Sequence, residues 1–264
     1  MFKNIIVLHK ENLSSDALRK IDDIKKYFPN SNFSVVNYSL IKKGQINKAD
    51  LVITFGGDGT FVRAGHLVED SLILGINSNP KKSEGVLTSL NSYELDKLKE
   101  ISQGEFEIIE RQRADVILNG KILNEKVINE IYMGAFSHFH TSRYKIKFRG
   151  KEEEQRSSGV IVSTGTGSEA WFLSAGGKPF NYTEKRLCFI VREPYFGKRV
   201  FQPSILNGEI FEGERLIIKS LRESGGIIAI NDSVYDFNKE DVVEVFLSKK
   251  PLKVIRLKTR EDSD

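Results

Sequence analysis

The sequence predicts an α/β first half joined to a β-rich second half. Three observations carry this. Up to about residue 100, apolar strand-like runs are separated by helical patterns; beyond it, short apolar runs follow one another with turn signals between them; and two glycine- and hydroxyl-rich loops each lie between a strand pattern and a helix pattern. Strands alternating with helices argue for a parallel sheet covered by helices, whereas closely spaced strands with turns argue for antiparallel sheets.

In order along the first half, Ile5 to Leu8 reads as a strand. A helix from Ser14 to Tyr27 follows, with Leu18, Ile21, Ile24 and Tyr27 recurring at threes and Ser14 or Ser15 as its cap. Phe33 to Val36, Leu51 to Phe55 and Leu72 to Ile76 read as further strands, and Phe61 to Val68 and Tyr93 to Ile101 as helices. In the second half the strands are Phe106 to Ile109, Val116 to Leu118, Val127 to Met133, Tyr144 to Phe148, Val160 to Ser163, Leu187 to Val191, Leu216 to Lys219, Ile227 to Ile230 and Val242 to Leu247. Asn119-Gly120 signals a hairpin, because both residues tolerate the positive φ of a type I′ turn. The charge run Lys151-Glu-Glu-Glu154 reads as a solvated loop. The expected domains are 1–100, 101–250 and a tail, 251–264, that returns to the first domain after Pro251.

Composition narrows the function. The chain has 264 residues, 40 Lys and Arg against 36 Asp and Glu, and 39% hydrophobic residues, which suits a folded core in one or two domains and excludes a disordered or fibrous protein. The net charge of +4 is spread out, so no nucleic-acid partner is expected, although the bases suit an anionic small molecule. No apolar run approaches the roughly 18 to 20 residues of a membrane span. Cys188, the single cysteine, has no partner for an intramolecular disulfide or a cysteine zinc site, so the chain reads as intracellular. The start, Met1 to Lys10, with Lys3 inside a short apolar run, reads as a first strand and not a signal peptide, and the expected location is the cytoplasm.

The sharpest motif is Leu51-Val-Ile-Thr-Phe-Gly-Gly-Asp-Gly-Thr60, a strand that enters three glycines around one acid and then a helix. Open α/β sheets bind ligands at such turns. Gly56, Gly57 and Gly59 are expected to adopt positive φ and let the backbone approach phosphate oxygens, with Thr60 beside them. The loop lacks the lysine of a Walker A loop and the spacing of a Rossmann fingerprint. Asp58 would repel a phosphate unless it held a metal or took a proton from an attacking hydroxyl, which makes it the catalytic candidate; the bland alternative is a helix N-cap.

A second strand, Val160 to Ser163, enters Ser163-Thr-Gly-Thr-Gly-Ser168, followed by a helix pattern from Glu169 to Ala175. Hydroxyls and amides at a helix start suit a phosphorylated or hydroxyl-rich ligand. Trp171, the only tryptophan, either stacks on a base or fills the core. Asn129-Glu130 interrupts an apolar strand run, and a buried polar pair needs partners such as a ribose diol and an adenine edge would supply. The similar Asn124-Glu125 reads as turn polarity. His138 and His140 would share a face if they lay on a strand, but their Ser and Thr neighbours favour a surface loop, and no metal ligands are assigned.

With Gly56-Gly-Asp-Gly-Thr60, Asn129-Glu130, Ser163-Thr-Gly-Thr-Gly-Ser168 and Ser174-Ala-Gly-Gly177 in this order, the sequence resembles the ATP-dependent NAD kinases. The first motif alone is shared with lipid kinases and, in variant form, with phosphofructokinases; the others separate them. Gly75 to Gly85 and Ser157 to Trp171 look most like the family's mitochondrial-type branch. The resemblance implies a Rossmann-like N-terminal domain and a C-terminal β-rich, β-sandwich domain, with the active site in the crevice between them, usually in a homodimer or homotetramer.

It also implies transfer of the γ-phosphoryl of ATP, with Mg²⁺ and with polyphosphate as an alternative donor, to the 2′-hydroxyl of the adenosine ribose of NAD. By the same resemblance Asp58 orients or accepts the hydroxyl proton, and Gly56, Gly57, Gly59 and Thr60 hold donor phosphates. Asn129, Glu130, Thr164, Thr166, Gly167, Ser168, Ala170, Trp171 and Ser174 bind NAD. The chain departs from the common branch at Ser158 in place of Asp, Gly165 in place of Pro, and Glu169-Ala170-Trp171 in place of Thr-Ala-Tyr. Lys81 and Lys82 stand in a loop that differs from the common branch, meeting phosphates or solvent. A lipid or polyol kinase, and a non-catalytic nucleotide-binding homologue, are the alternatives.

Overall fold

A computed structural model describes residues 2–10, 13–41, 43–137 and 139–258. The chain separates into two compact units, one taking the chain up to Glu110 and again from Leu252, the other Arg111–Pro251.

The first unit runs β1 (Asn4–His9), α1 (Ser15–Lys26), β2 (Asn32–Asn37), α2 (Lys43–Ile46), β3 (Leu51–Gly56), α3 (Asp58–Leu67), β4 (Leu72–Asn77), β5 (Leu90–Asn91), α4 (Leu98–Gln103) and β6 (Glu107–Arg111). Its sheet has the order β2-β1-β3-β4, then the strand Leu252–Arg256, then β6, with β5 beside β4. β1, β2, β3 and β4 pair in parallel, and Val254 pairs in parallel with Ile73. All six residues of β3 are buried, as a central parallel strand covered on both faces requires. The core joins Ile5 and Val7 to Ile53 and Phe55, Leu74 and Ile76, Ile21 and Ile24 of α1, and Leu98 and Ile101 of α4.

Helix α1 is capped as expected by Ser14, whose hydroxyl accepts the Ala17 amide at 3.2 Å. Its buried stripe is shifted from the one read at threes. Ile21 and Ile24 are buried, but Leu18 is 50% exposed, because three residues turn a helix by only about 300° and a strict i, i+3 series drifts off the face. The unit extends ten residues beyond the textural change near residue 100, since α4 and β6 both belong to it.

The second unit contains β7 (Ala114–Leu118), β8 (Lys121–Ile122), β9 (Glu130–Ala135), β10 (Ser142–Phe148), β11 (Lys151–Ser157), β12 (Gly159–Ser163), the short helix α5 (Trp171–Ser174), β13 (Arg186–Arg192), β14 (Asn207–Phe211), β15 (Leu216–Ser220), β16 (Gly226–Ile230), β17 (Ser233–Asp236) and β18 (Val242–Leu247). They form two six-stranded sheets, β11-β10-β15-β18-β7-β8 and β14-β13-β12-β9-β16-β17. Alternate residues of both meet in one core. Val116, Ile146, Ile218 and Val245 come from the first sheet, and Ile131, Met133, Val160, Val162, Phe189 and Ile228 from the second.

Asn119 and Gly120 have φ of 50° and 77°, the left-handed pair of a type I′ turn joining β7 to β8. The run at Lys151 to Glu154 is not a loop. It begins the edge strand β11, in register with β10 so that Glu152 faces Lys147 and Glu154 faces Lys145. Opposite charges across an antiparallel pair stabilise the strand, and the charges keep the edge from further pairing.

Candidate active site

β3 delivers Gly56 at its carboxyl end, and α3 starts two residues later with Gly57 as its N-cap. None of Gly56, Gly57 and Gly59 adopts the expected positive φ; Gly57 is extended, at −91° and −168°. Two of them are needed for close approach instead. A Cβ on Gly56 would lie 2.3 Å from Thr60 Oγ1, and one on Gly57 2.3 Å from Ser83 Oγ. Gly59 has nothing within 4 Å, so its absent side chain leaves open space at the helix N-terminus, where the first N–H groups have no intrahelical acceptor.

Thr60 is 6% exposed and folds over Gly56, which makes it part of the loop's frame. Asp58 is not an N-cap. It is the first residue of α3, and its carboxylate accepts N–H groups from a different segment, Leu87 to Oδ1 at 2.8 Å and Val86 to Oδ2 at 3.2 Å. Lys81 and Lys82 are exposed.

In the second unit, Ile131 and Met133 point into the core, so Glu130 and Tyr132 share the outer face of β9. Asn129 precedes the strand and is pinned by the 163–168 loop. The Thr164 amide donates to the Asn129 carbonyl at 2.9 Å, and a Cβ on Gly167 would fall 2.5 Å from the Asn129 carbonyl carbon. Thr164 and Ser168 are fully buried and use their hydroxyls inside this frame. Thr164 donates to the Ile128 carbonyl and accepts from the Gly167 amide; Ser168 donates to the Gly165 carbonyl at 2.8 Å and accepts from the Phe180 amide. These two residues therefore build the loop. Thr166 differs, since its hydroxyl accepts from Arg111 at 3.4 Å.

What the frame holds out is unusual. Asn129 Oδ1 and Glu130 Oε2 are buried yet accept no hydrogen bond from any described residue. Burial pushes the Glu130 carboxyl up to about 7. Buried acceptors without donors cost on the order of 1 to 3 kcal/mol each, so two in succession make this a candidate place for a ligand that brings donors.

Trp171 is 38% exposed and does not fill the core. Its ring lies 5.2 Å from that of Tyr132, and the Arg192 guanidinium stands 5.3 Å from its centroid. The helix here is a single turn, Trp171–Ser174, instead of the expected Glu169 to Ala175, and it offers no dipole site. Ala170 is its N-cap and is exposed, Ser174 donates to the Ala170 carbonyl at 3.3 Å, and Glu169 points to solvent. Gly165 packs against the backbone of Asn181 and Tyr182.

Two features were hidden from the sequence pattern. The hydroxyl of Ser158 holds the Glu193 carboxyl below the usual carboxylate range, and Glu193 has a φ of 42°, so an acid stands beside Ser158. The pairing of Gly159 with Arg192 and the bond of the Ser158 amide to the Arg192 carbonyl at 3.0 Å bring these positions together. Glu125 likewise belongs to more than a turn, for it accepts the hydroxyls of Tyr235 at 2.6 Å and Ser233 at 3.1 Å.

His138 lies outside the described residues; His140 Nδ1 sits 3.2 Å from Arg222. Among the described residues no group of three or more His, Cys, Asp and Glu side chains is arranged to hold a metal ion. No described helix is long and apolar enough to cross a membrane.

No protein-family model matches the chain. An NAD kinase from Thermococcus gammatolerans is 33% identical over 215 residues, which is 77% of this chain and 71% of that protein. The structure of yeast NADH kinase complexed with NADH superposes with a TM-score of 0.80 at 18% identity, covering 99% of this chain and 85% of that one. An NAD kinase from Archaeoglobus fulgidus in complex with ATP gives 0.74 at 19% identity, covering 98% and 94%. At these identities the two structures share the fold.

Proposed function

The chain belongs to the NAD kinase family and is a phosphotransferase with an alcohol acceptor; from that premise we propose which residues carry the transfer of the γ-phosphoryl of ATP to the 2′-hydroxyl of the adenosine ribose of NAD. The observation that carries the reading is the pair of buried, undonated acceptors at Asn129 and Glu130. A ribose diol and an adenine edge bring the N–H and O–H donors that this pair lacks, and an ionised carboxylate accepts them best.

The division of labour follows. The open N-terminus of α3, with Gly57 and Gly59, takes the donor phosphates on backbone amides, while Gly56 and Thr60 keep the loop in shape. Asp58 accepts or orients the proton of the attacking hydroxyl; each of its oxygens receives one amide N–H and keeps acceptor capacity for the substrate. Asn129 and Glu130 fix the adenosine, Thr164 and Gly167 fix Asn129 while Ser168 ties their loop to Phe180, and Trp171 with Ala170, Thr166 and Ser174 borders the ligand. Phosphoryl transfer asks little else of a protein than alignment and charge neutralisation.

Mg²⁺ neutralises charge on transferring phosphates. Among the described residues no group of three or more His, Cys, Asp and Glu side chains stands ready to hold it; if Mg²⁺ takes part, the nucleotide phosphates and water would supply most of its ligands. Membership of the mitochondrial-type branch, a cytoplasmic location and assembly as a homodimer or homotetramer belong to the same proposal. The motifs Gly75 to Gly85 and Ser157 to Trp171 support the branch.

The test is NADP formation by the purified protein from NAD, ATP and Mg²⁺, read through a dehydrogenase that uses only NADP, with NADH and polyphosphate substituted in parallel. Product with NAD is expected. A folded protein that forms product under none of these conditions would overturn the reading.

A further inference from the structure

Asp58 sits on the first turn of a helix, where a short side chain facing solvent would rotate freely, yet here it does not. Its carboxylate is gripped at both oxygens by consecutive amides, Leu87 to Oδ1 at 2.8 Å and Val86 to Oδ2 at 3.2 Å. The segment carrying these amides has no regular secondary structure, so something must hold it.

That something is Asn77. It ends β4, is 3% exposed, and stands in register with Gly56 of β3. Its Nδ2 donates to the Ser83 carbonyl at 2.9 Å and its Oδ1 accepts the Asn79 amide at 3.1 Å, so one buried side chain ties both ends of the excursion 79–83. Ser83 then lies flush against Gly57. The chain turns at Gly85, whose φ of 68° suits glycine, and a Cβ there would fall 2.3 Å from Asn77 Nδ2. Thr88 closes the turn by giving both its amide, at 3.0 Å, and its hydroxyl, at 2.7 Å, to the Gly85 carbonyl. The two N–H groups that follow Gly85 are thereby aimed at Asp58.

We propose that Asn77 and the Gly85–Leu87 turn are a positioning device for Asp58: they fix the plane of its carboxylate so that the remaining acceptor site on each oxygen faces the hydroxyl to be phosphorylated. The inference rests on the assignment of Asp58 as the proton acceptor. The proposal assigns these residues no contact of their own with the reacting atoms. They act through Asp58, and their loss lowers kcat without weakening either substrate, since misplacement of a catalytic group by about 1 Å costs on the order of 100-fold.

The experiment compares three proteins in steady-state kinetics with both substrates varied: Asp58→Asn, Gly85→Ala, and a chain in which the Val86–Leu87 peptide bond is replaced by an ester, deleting the Leu87 N–H while keeping every side chain. The expected result is loss of kcat in all three, about 10- to 100-fold for Gly85→Ala and about 10-fold for the ester, with KM for ATP and for NAD within about twofold of wild type. If Gly85→Ala does not fold, the ester alone decides. A wild-type kcat in the ester chain beside an inactive Asp58→Asn would overturn the positioning role and leave Asp58 as the acceptor. A raised KM with unchanged kcat would overturn it too, by showing that the turn binds substrate. Full turnover by Asp58→Asn would instead remove the assignment on which the proposal rests.

Discussion

Binding of NAD at neutral pH should release protons, and Glu130 is the source. Burial holds its carboxyl at about 7 against an ordinary 4.5, and Oε2 has no donor among the described residues. In the free protein at pH 7 about half the population is therefore protonated. Hydroxyls donating to the carboxylate favour its charged form and return the bound-state pKa toward the ordinary value. The released fraction is the fraction protonated before binding: about 0.9 proton at pH 6, about 0.5 at pH 7 and about 0.1 at pH 8. Linkage then requires NAD to bind about tenfold more weakly at pH 6 than at pH 8. The sign for stability is the opposite of a salt-bridged acid. A carboxyl whose folded pKa is raised leaves stability intact below about 4.5 and lowers it as pH climbs toward about 7, by at most about 3 kcal/mol, after which the curve is flat. Calorimetric titration of NAD in buffers of different ionisation enthalpy measures the proton count directly. A slope of zero at pH 7, or an equal slope in Glu130→Gln, would refute the reasoning.

Other substitutions separate the roles of the glycines and of the aromatic platform. Gly59→Ala puts a Cβ into open space and removes a helix glycine, so the free protein should gain up to about 1 kcal/mol in denaturant unfolding. The same Cβ meets the donor phosphates, and KM for ATP should rise about tenfold or more for a loss of about 1.4 kcal/mol or more of binding; an unaltered KM would argue against the cradle. Gly167→Ala drives a Cβ to 2.5 Å from the Asn129 carbonyl carbon and should impair the acceptor side alone, seen as a higher KM for NAD with that for ATP kept. Trp171→Ala removes a ring that is 38% exposed, so unfolding should shift by about 1 to 3 kcal/mol while NAD affinity falls about tenfold in the protein that remains folded; an unchanged affinity would take Trp171 out of the site.

What the sequence makes legible follows from the range of the interactions involved. Local signals transfer directly: the Ser14 cap, the Asn119-Gly120 turn and the strand-to-helix step at Gly56 each depend on a few neighbouring residues. Failures begin where a distant partner decides. Lys151 to Glu154 looks like a solvated loop by itself and becomes a strand only because β10 sets lysines opposite its glutamates. Gly56 and Gly57 look like positions chosen for positive φ, but the constraint on them comes from Thr60 and, 26 residues on, from Ser83.

The site divides along the same line. Asp58, Asn129 and Glu130 announce themselves because an acid among glycines and a polar pair in an apolar strand are chemically out of place. Thr164 and Ser168 share the composition of ligand-binding loops, yet their hydroxyls are spent on backbone carbonyls, because an irregular buried loop must satisfy its own polar groups before it can offer any to a ligand. The supporting residues show less of their task. Asn77 and Gly85 lie inside the Gly75 to Gly85 motif, but nothing in it says what they hold, and Glu193 stands 35 positions from Ser158; each acquires meaning only when the fold brings it to its partner. A motif thus nominates the groups proposed to touch the substrate, and the precision with which they are held is written in residues chosen for backbone geometry, which is why Gly85, and not a further acid or base, is the residue whose substitution would reveal most about Asp58.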